Sequence, residues 1–134
     1  MEWVHESPEK ASYDVIIDDL YAEEGDIPVR CVPMDVEWCE ALARLLKPRG
    51  MLIFNIIEPD KIKHLPIFKS LKLKKRFTET VMYRIYGYEN RIIAFSDTPF
   101  DLKCLDAHLK RTKKKYPSCR RVEERYVKCR NFKP

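Results

Sequence analysis

Glycine is scarce in this chain: there are three, Gly25, Gly50 and Gly87, and no two are close. That spacing excludes the Gly-rich loop with which a nucleotide-binding fold brings its backbone against a cofactor. No apolar run approaches the ~20 residues of a membrane-spanning helix. Glu2, Glu6, Glu9 and Lys10 stand where a signal peptide would carry its apolar core. The chain therefore reads as soluble, intracellular and cytoplasmic. His5, His64 and His108 lie far apart, so no metal site is expected. The five cysteines (Cys31, Cys39, Cys104, Cys119, Cys129) are odd in number and lack the two-residue separation of a zinc knuckle or redox pair. Reduced, partly buried thiols are expected, with no Cys/His nucleophile.

With 134 residues, 45% of them hydrophobic, the chain has material for one modest core. Its net charge of +5 conceals a division. Residues 1–60 hold 5 Lys/Arg against 14 Asp/Glu, whereas 61–134 hold 21 against 7. Such asymmetry marks an acidic-partner or nucleic-acid surface on the basic half, or two halves that complement each other or another subunit.

The stretch from Tyr13 to Ile57 organises the rest. Tyr13 to Asp19 and Met51 to Ile57 are short runs rich in β-branched residues. Between them Val36, Cys39, Leu42, Leu45 and Leu46 recur at helical spacing beside Trp38, behind a capping Asp35. This is the pattern of a βαβ unit with both strands buried, so both faces of the first strand are expected to be covered. Pro48 and Gly50 are expected to end the helix and turn the chain.

Residues 2–10 read as the tail of an element, and Leu20 to Pro33 as a loop long enough to be a lid. A helix from Glu58 to about Leu71 is expected, strained at Pro66. A strand follows over Lys74 to Ile85, then a turn and a second strand over Arg91 to Ser96, together an antiparallel hairpin closing one sheet edge. Thr98, Pro99 and Asp101 predict a helix start. In the basic segment beyond Pro117, Val122, Tyr126 and Val127 are expected to give a short strand or a turn. Residues 1–98 form the α/β domain; 99–134 are a basic helix and tail packed on it or extending from it.

Ligands of open parallel sheets bind beyond the carboxyl ends of the strands. This singles out Asp18, Asp19 and Tyr21, just past Ile17. A carboxylate there can take a proton from an attacking amine or orient a cationic substrate. The bland alternative is a pair of solvated aspartates beside Glu23, Glu24 and Asp26.

The motifs over residues 10–97 resemble the second half of a class I S-adenosylmethionine-dependent methyltransferase of the spermidine-synthase-like group. Tyr13-Asp14-Val15-Ile16-Ile17-Asp18-Asp19 is similar to that group's motif at the end of the fourth strand. Leu45 to Asn55 resembles the turn into the fifth, and Asn90 to Phe95 its last strand. The resemblance implies a partial Rossmann-like methyltransferase sheet, with central parallel strands and a C-terminal antiparallel hairpin. It also implies Asp19 as the acid that accepts a proton from the attacking amine, with Asp18 and Tyr21 as substrate-binding neighbours. A second acid expected three residues on is replaced by Ala22, which disfavours aminopropyl transfer relative to methyl transfer onto a protein or amine acceptor.

S-adenosylmethionine is the implied cofactor, yet the Gly-rich loop and the ribose-binding acid of such enzymes have no counterpart here. Met1 would then be an internal methionine of a longer protein, or the chain a truncated product, catalytic only when completed by its missing half. The open edge of the Tyr13 strand would pair with another chain, in a homo- or hetero-oligomer, or leave the isolated protein only marginally stable. Two other functions compete: a non-catalytic interaction module that retains the fold, and nucleic-acid binding by the 12 Lys/Arg between Lys103 and Lys133.

Overall fold

A computed structural model describes residues 2–85, 87–116 and 124–128. Helix α1 (Glu2–Glu6) precedes strand β1 (Tyr13–Asp18). A small hairpin, β2 (Tyr21–Glu24) and β3 (Ile27–Arg30), leads to helix α2 (Val36–Leu45) and strand β4 (Leu46–Ile56). Helix α3 (Leu71–Arg76), strands β5 (Glu79–Ile85) and β6 (Arg91–Ser96), helix α4 (Leu102–Lys115) and strand β7 (Glu124–Lys128) complete the order. The main sheet runs β1-β4-β6-β5-β7. β1 is parallel to β4, and every other neighbouring pair is antiparallel. This is the partial Rossmann-like sheet expected from the sequence, but the parallel pair is not central: β1 stands at one edge, and β7, pairing with β5, lies outside the hairpin that was expected to close the other.

The βαβ unit forms because one face of α2 and one face of β4 are apolar together. Trp38, Cys39, Leu42 and Leu45 are buried from the helix, and Leu52, Phe54 and Ile56 from the strand. Asp35 caps the helix by accepting from the Trp38 N–H at 2.8 Å. Phe95 of β6 is the hub, fully buried against the rings of Phe54, Phe68 and Phe77 at 6.1, 5.6 and 6.1 Å. Burying each such side chain contributes about 1.5–3 kcal/mol.

Several local expectations are corrected. Pro48 and Gly50 do not turn the chain: α2 ends at Leu45 and β4 begins at the next residue. The surplus is absorbed in a bulge, since Tyr13 pairs with Leu46 but Val15 with Met51. Arg49 there takes a positive φ of 65°. Gly50 is required by close approach: a Cβ would lie 2.9 Å from the Lys47 carbonyl oxygen and 3.2 Å from that of Asp14.

Residues 20–33 are not an open loop, because β2 and β3 pair about a turn in which Gly25 has φ +65°. The expected helix over Glu58 to Leu71 is two 3-10 turns, Pro59–His64 and Pro66–Phe68. Pro66 has no N–H and its ring blocks a continuous α-helix, so α3 starts only at Leu71 behind Ser70. That moves Lys74 to Arg76 from strand to helix. α4 starts at the stronger cap Asp101, which accepts from the Cys104 N–H at 2.9 Å, and not at Thr98. Residues 2–6 form a short helix, whose end is held by Arg44, which donates to the carbonyls of Val4 and Ser7 at 2.8 and 2.7 Å. Of the expected tail strand, Tyr126 and Val127 lie in β7 and Val122 falls outside the described residues.

The largest departure concerns β1. Its α2 side is covered, but on the opposite face Val15 is 47% and Ile17 68% exposed. Among the described residues, no strand pairs with the outer edge of β1, and no helix is long and apolar enough to cross a membrane.

Candidate functional site

The carboxyl ends of β1 and β4 lie side by side, because Asp18 pairs with Phe54 in the parallel register. Successive residues of a strand point to opposite faces, so Asp18 and Asp19 part company there.

Asp18 turns toward α2 and is 2% exposed. It accepts from Arg30 Nη2 at 2.8 and 2.7 Å on its two oxygens, and from Trp38 Nε1 at 2.7 Å. Burial pulls the Arg30 guanidinium toward its neutral form, but the bond and charge of Asp18 outweigh it and raise the Arg30 pKa. The trio ties the end of β3 to the end of β1 and the start of α2. Both Asp18 oxygens are committed to it.

Asp19 is exposed and accepts from Asn55 Nδ2 at 2.9 Å. Asn55 Oδ1 accepts in turn from Asn90 Nδ2 at 2.8 Å. The Tyr21 hydroxyl donates to the Asn55 carbonyl at 3.0 Å, and the guanidinium of Arg30 lies 5.7 Å from the Tyr21 ring centroid. Asp19 and Tyr21 therefore meet at one residue of β4, while Asp18 serves the other face. Ala22 is exposed on the hairpin opposite Val29.

Asn55, Asn90, Arg30 and Trp38 were not singled out from the sequence. Asn55 is the one polar residue in the run from Met51 to Ile57, and that interruption at a strand's carboxyl end was the available signal. Arg30 is the only base between Lys10 and Arg44, in a stretch rich in acids.

Two cavities adjoin these residues. One, of about 360 Å³, lies between the hairpin and the first 3-10 turn, with Tyr21, Arg30, Met34, Glu58 and His64 in its wall. The other is a groove of about 370 Å³ along the outer edge of β1, walled by Trp3, Val15, Ile17, Leu20 and Leu42. Among the described residues, Asp18 is the only charged group in the wall of that groove, and Arg30 and Trp38 already occupy it. The groove thus offers no free carboxylate to a ribose and no cation to an amino-acid carboxylate. That groove by itself does not fit a bound S-adenosylmethionine. The described residues also hold no cluster of three or more His, Cys, Asp or Glu that could bind a metal ion.

An exposed carboxylate with one oxygen fixed by a neutral amide has its other oxygen available to a cation or to an N–H, in an orientation set by the sheet.

No family model and no curated protein matches the chain. Among solved structures it is similar to a probable spermidine synthase from Corynebacterium glutamicum, at 22% identity and a TM-score of 0.62. The match covers 93% of this chain and 45% of that one, so the chain spans less than half the length of the protein it matches. What the likeness establishes is the fold: the sheet and helices described above are those of part of a spermidine-synthase-like α/β domain.

Proposed function

We propose that this chain is the acceptor side of a spermidine-synthase-like, S-adenosylmethionine-dependent transferase domain, with Asp19 as the group that orients or deprotonates an acceptor amine. One observation carries the reading: Asp19 stands exposed at the carboxyl end of β1 with one oxygen fixed by Asn55. Tyr21, bonded to the carbonyl of the same Asn55, borders the approach. The hairpin disfavours a diamine, since Ala22, paired with Val29, supplies no second carboxylate. An amine on a protein or small molecule suits the site better than a polyamine. In this reading the described residues supply the acceptor side, and the nucleoside wall comes from outside them.

Two titrations test this. Backbone amide NMR with 1,4-diaminobutane and with N-acetyl-lysine amide should move the signals of Asp19, Tyr21 and Asn55, more with the second, and Asp19→Asn should abolish the movement. A chain whose signals stay still with both amines has no acceptor site. A thermal titration with S-adenosylmethionine, its decarboxylated form and methylthioadenosine addresses the nucleoside side. A ligand bound only by the folded state adds about 2.7 kcal/mol at a hundred times its dissociation constant, and no rise in midpoint is expected here.

A second reading, a non-catalytic module that retains the fold, is favoured by the groove along β1, whose wall is apolar where a nucleoside would need polar partners. Stillness with both amines, together with an unmoved thermal midpoint, would select it.

A further inference from the structure

The guanidinium of Arg30 is used only in part. Its Nη2 donates to both oxygens of Asp18, at 2.8 and 2.7 Å. Its other two nitrogens, Nε and Nη1, are buried and have no hydrogen-bond partner among the described residues. No other side-chain nitrogen or oxygen of the described residues is both buried and unpartnered. Nearly every buried donor in a folded protein is met, because an unmet one bears the cost of leaving water and gains nothing in return. Asp18 accounts for the anchoring of Arg30 but not for these remaining donors.

Arg30 also stands in the wall of a cavity. The space between the β2–β3 hairpin and the first 3-10 turn measures about 360 Å³, within the ~300–1,000 Å³ of small-molecule sites. Residues 21–34 and 56–66 supply its wall, and β1 contributes nothing to it. Much of that wall is apolar: Val32, Ile56 and Leu65 are 6%, 4% and 5% exposed, with Met34 and Pro66 beside them. Arg30 and Lys61 are its cations and Glu58 its one acid, alongside the imidazole of His64. Glu58 is answered by Lys61 at 2.7 Å, and the Tyr21 hydroxyl gives its hydrogen to the Asn55 carbonyl. What stays unanswered in the wall is a set of donors on a cation.

Chemistry then selects the occupant. A guanidinium N–H bonds a carboxylate more strongly than a neutral carbonyl, because both partners are charged. A phosphate brings more charge and more acceptor oxygens than one partly committed guanidinium can meet, and the apolar wall suits a hydrocarbon body better than a sugar.

We infer that the cavity between the hairpin and the first 3-10 turn binds a small carboxylic acid with an apolar body, its carboxylate accepting from the free N–H groups of Arg30. Asp19 is not in the wall, so the inference stands without the transferase reading.

The probe is 3-phenylpropanoate, titrated into the full chain and followed by calorimetry and by NMR of the Arg30 Nε–H and the Met34 methyl group. Saturable binding that moves both signals is expected. The neutral isostere 3-phenylpropanamide should bind at least about tenfold more weakly, since it forfeits the charge-assisted bond. Arg30→Lys keeps a cation for Asp18 but removes the planar donors, and should weaken the acid by at least a similar factor. Circular dichroism checks that this variant folds, and the acid-against-amide comparison on the parent chain decides the matter if it does not. Asp19→Asn, which abolishes the amine response proposed above, should leave acid binding unchanged, so each reading can fail without the other. The inference is overturned if the acid shows no saturable binding, if acid and amide bind alike, if the Arg30 Nε–H signal stays still while the acid binds, or if a folded Arg30→Lys chain binds the acid as tightly as the parent.

Discussion

Asn55 of β4 holds Asp19 from the neighbouring strand, donating from Nδ2 at 2.9 Å, and is itself held by Asn90 at 2.8 Å. The exposed carboxylate is therefore placed by two side chains far from it in sequence. Asn90→Ala withdraws a donor from a partly buried amide and should cost about 1 kcal/mol of stability. Asp19→Asn, at an exposed site, should stay within about 0.5 kcal/mol of the parent. Urea midpoints check both, and a large loss for Asp19→Asn would make that residue structural.

Arg30→Met leaves Asp18, 2% exposed, with Trp38 as its only partner. An uncompensated buried charge of this kind should cost about 3–5 kcal/mol. The double variant Asp18→Leu/Arg30→Met should recover most of that loss, short of the unpaired Trp38 N–H, which costs about 1–3 kcal/mol. Chemical denaturation of the two single variants and the double closes the cycle. A loss below about 1 kcal/mol for Arg30→Met would show that the pair holds nothing.

Gly50→Ala places a methyl group 2.9 Å from one backbone oxygen and 3.2 Å from another, Asp14 of β1. Neither oxygen belongs to a flexible side chain, so the β4 backbone at Lys47 must shift and β1 must give by a few tenths of an ångström at Asp14. The expected cost is about 1–3 kcal/mol, together with faster amide exchange at Val15 and Ile16. Unchanged exchange there would locate the strain elsewhere.

Cys39 is wholly buried, and burial, with a smaller push from the Asp18 charge, raises its thiol pKa to about 12. The folded state then holds a proton that the unfolded thiol gives up near its ordinary value. Stability from this group is full below about pH 9 and is lost as pH rises toward 12. At pH 8, alkylation mapped by mass spectrometry should modify the exposed Cys31 and Cys104 and spare Cys39 until the protein is unfolded. Early modification of Cys39 would mean that α2 opens far below the global unfolding free energy.

Much of the frame is legible in the residues themselves. The apolar runs around Val15 and Ile53, the helical stripe through Cys39 and Leu42, and the hairpin about Gly87 are local periodicities, and each element forms, although β4 begins earlier and β5 later than expected. The 3-10 turns at Pro66 and the hairpin at Gly25 are not legible at that level. Acidic and proline-containing segments read as loop or strained helix until their pairing partners are known. Asp19 can be named from its place after a strand, but Asn55 and Asn90 cannot, since 35 residues separate them from each other and 36 separate Asn55 from Asp19.

By itself the sequence determined the fold class and the pairing of two apolar strands around a helix, because hydrophobic periodicity and turn residues act over a few residues. Only the tertiary structure decided which of two adjacent aspartates is free. In a strand they face opposite ways, and what covers each face is contributed by distant segments: Arg30 and Trp38 close over Asp18 on one side, and Asn55 leaves Asp19 open on the other. The bareness of Val15 and Ile17 was decided at the same level, since a strand's composition reports that it wants burial and not whether a neighbour supplies it.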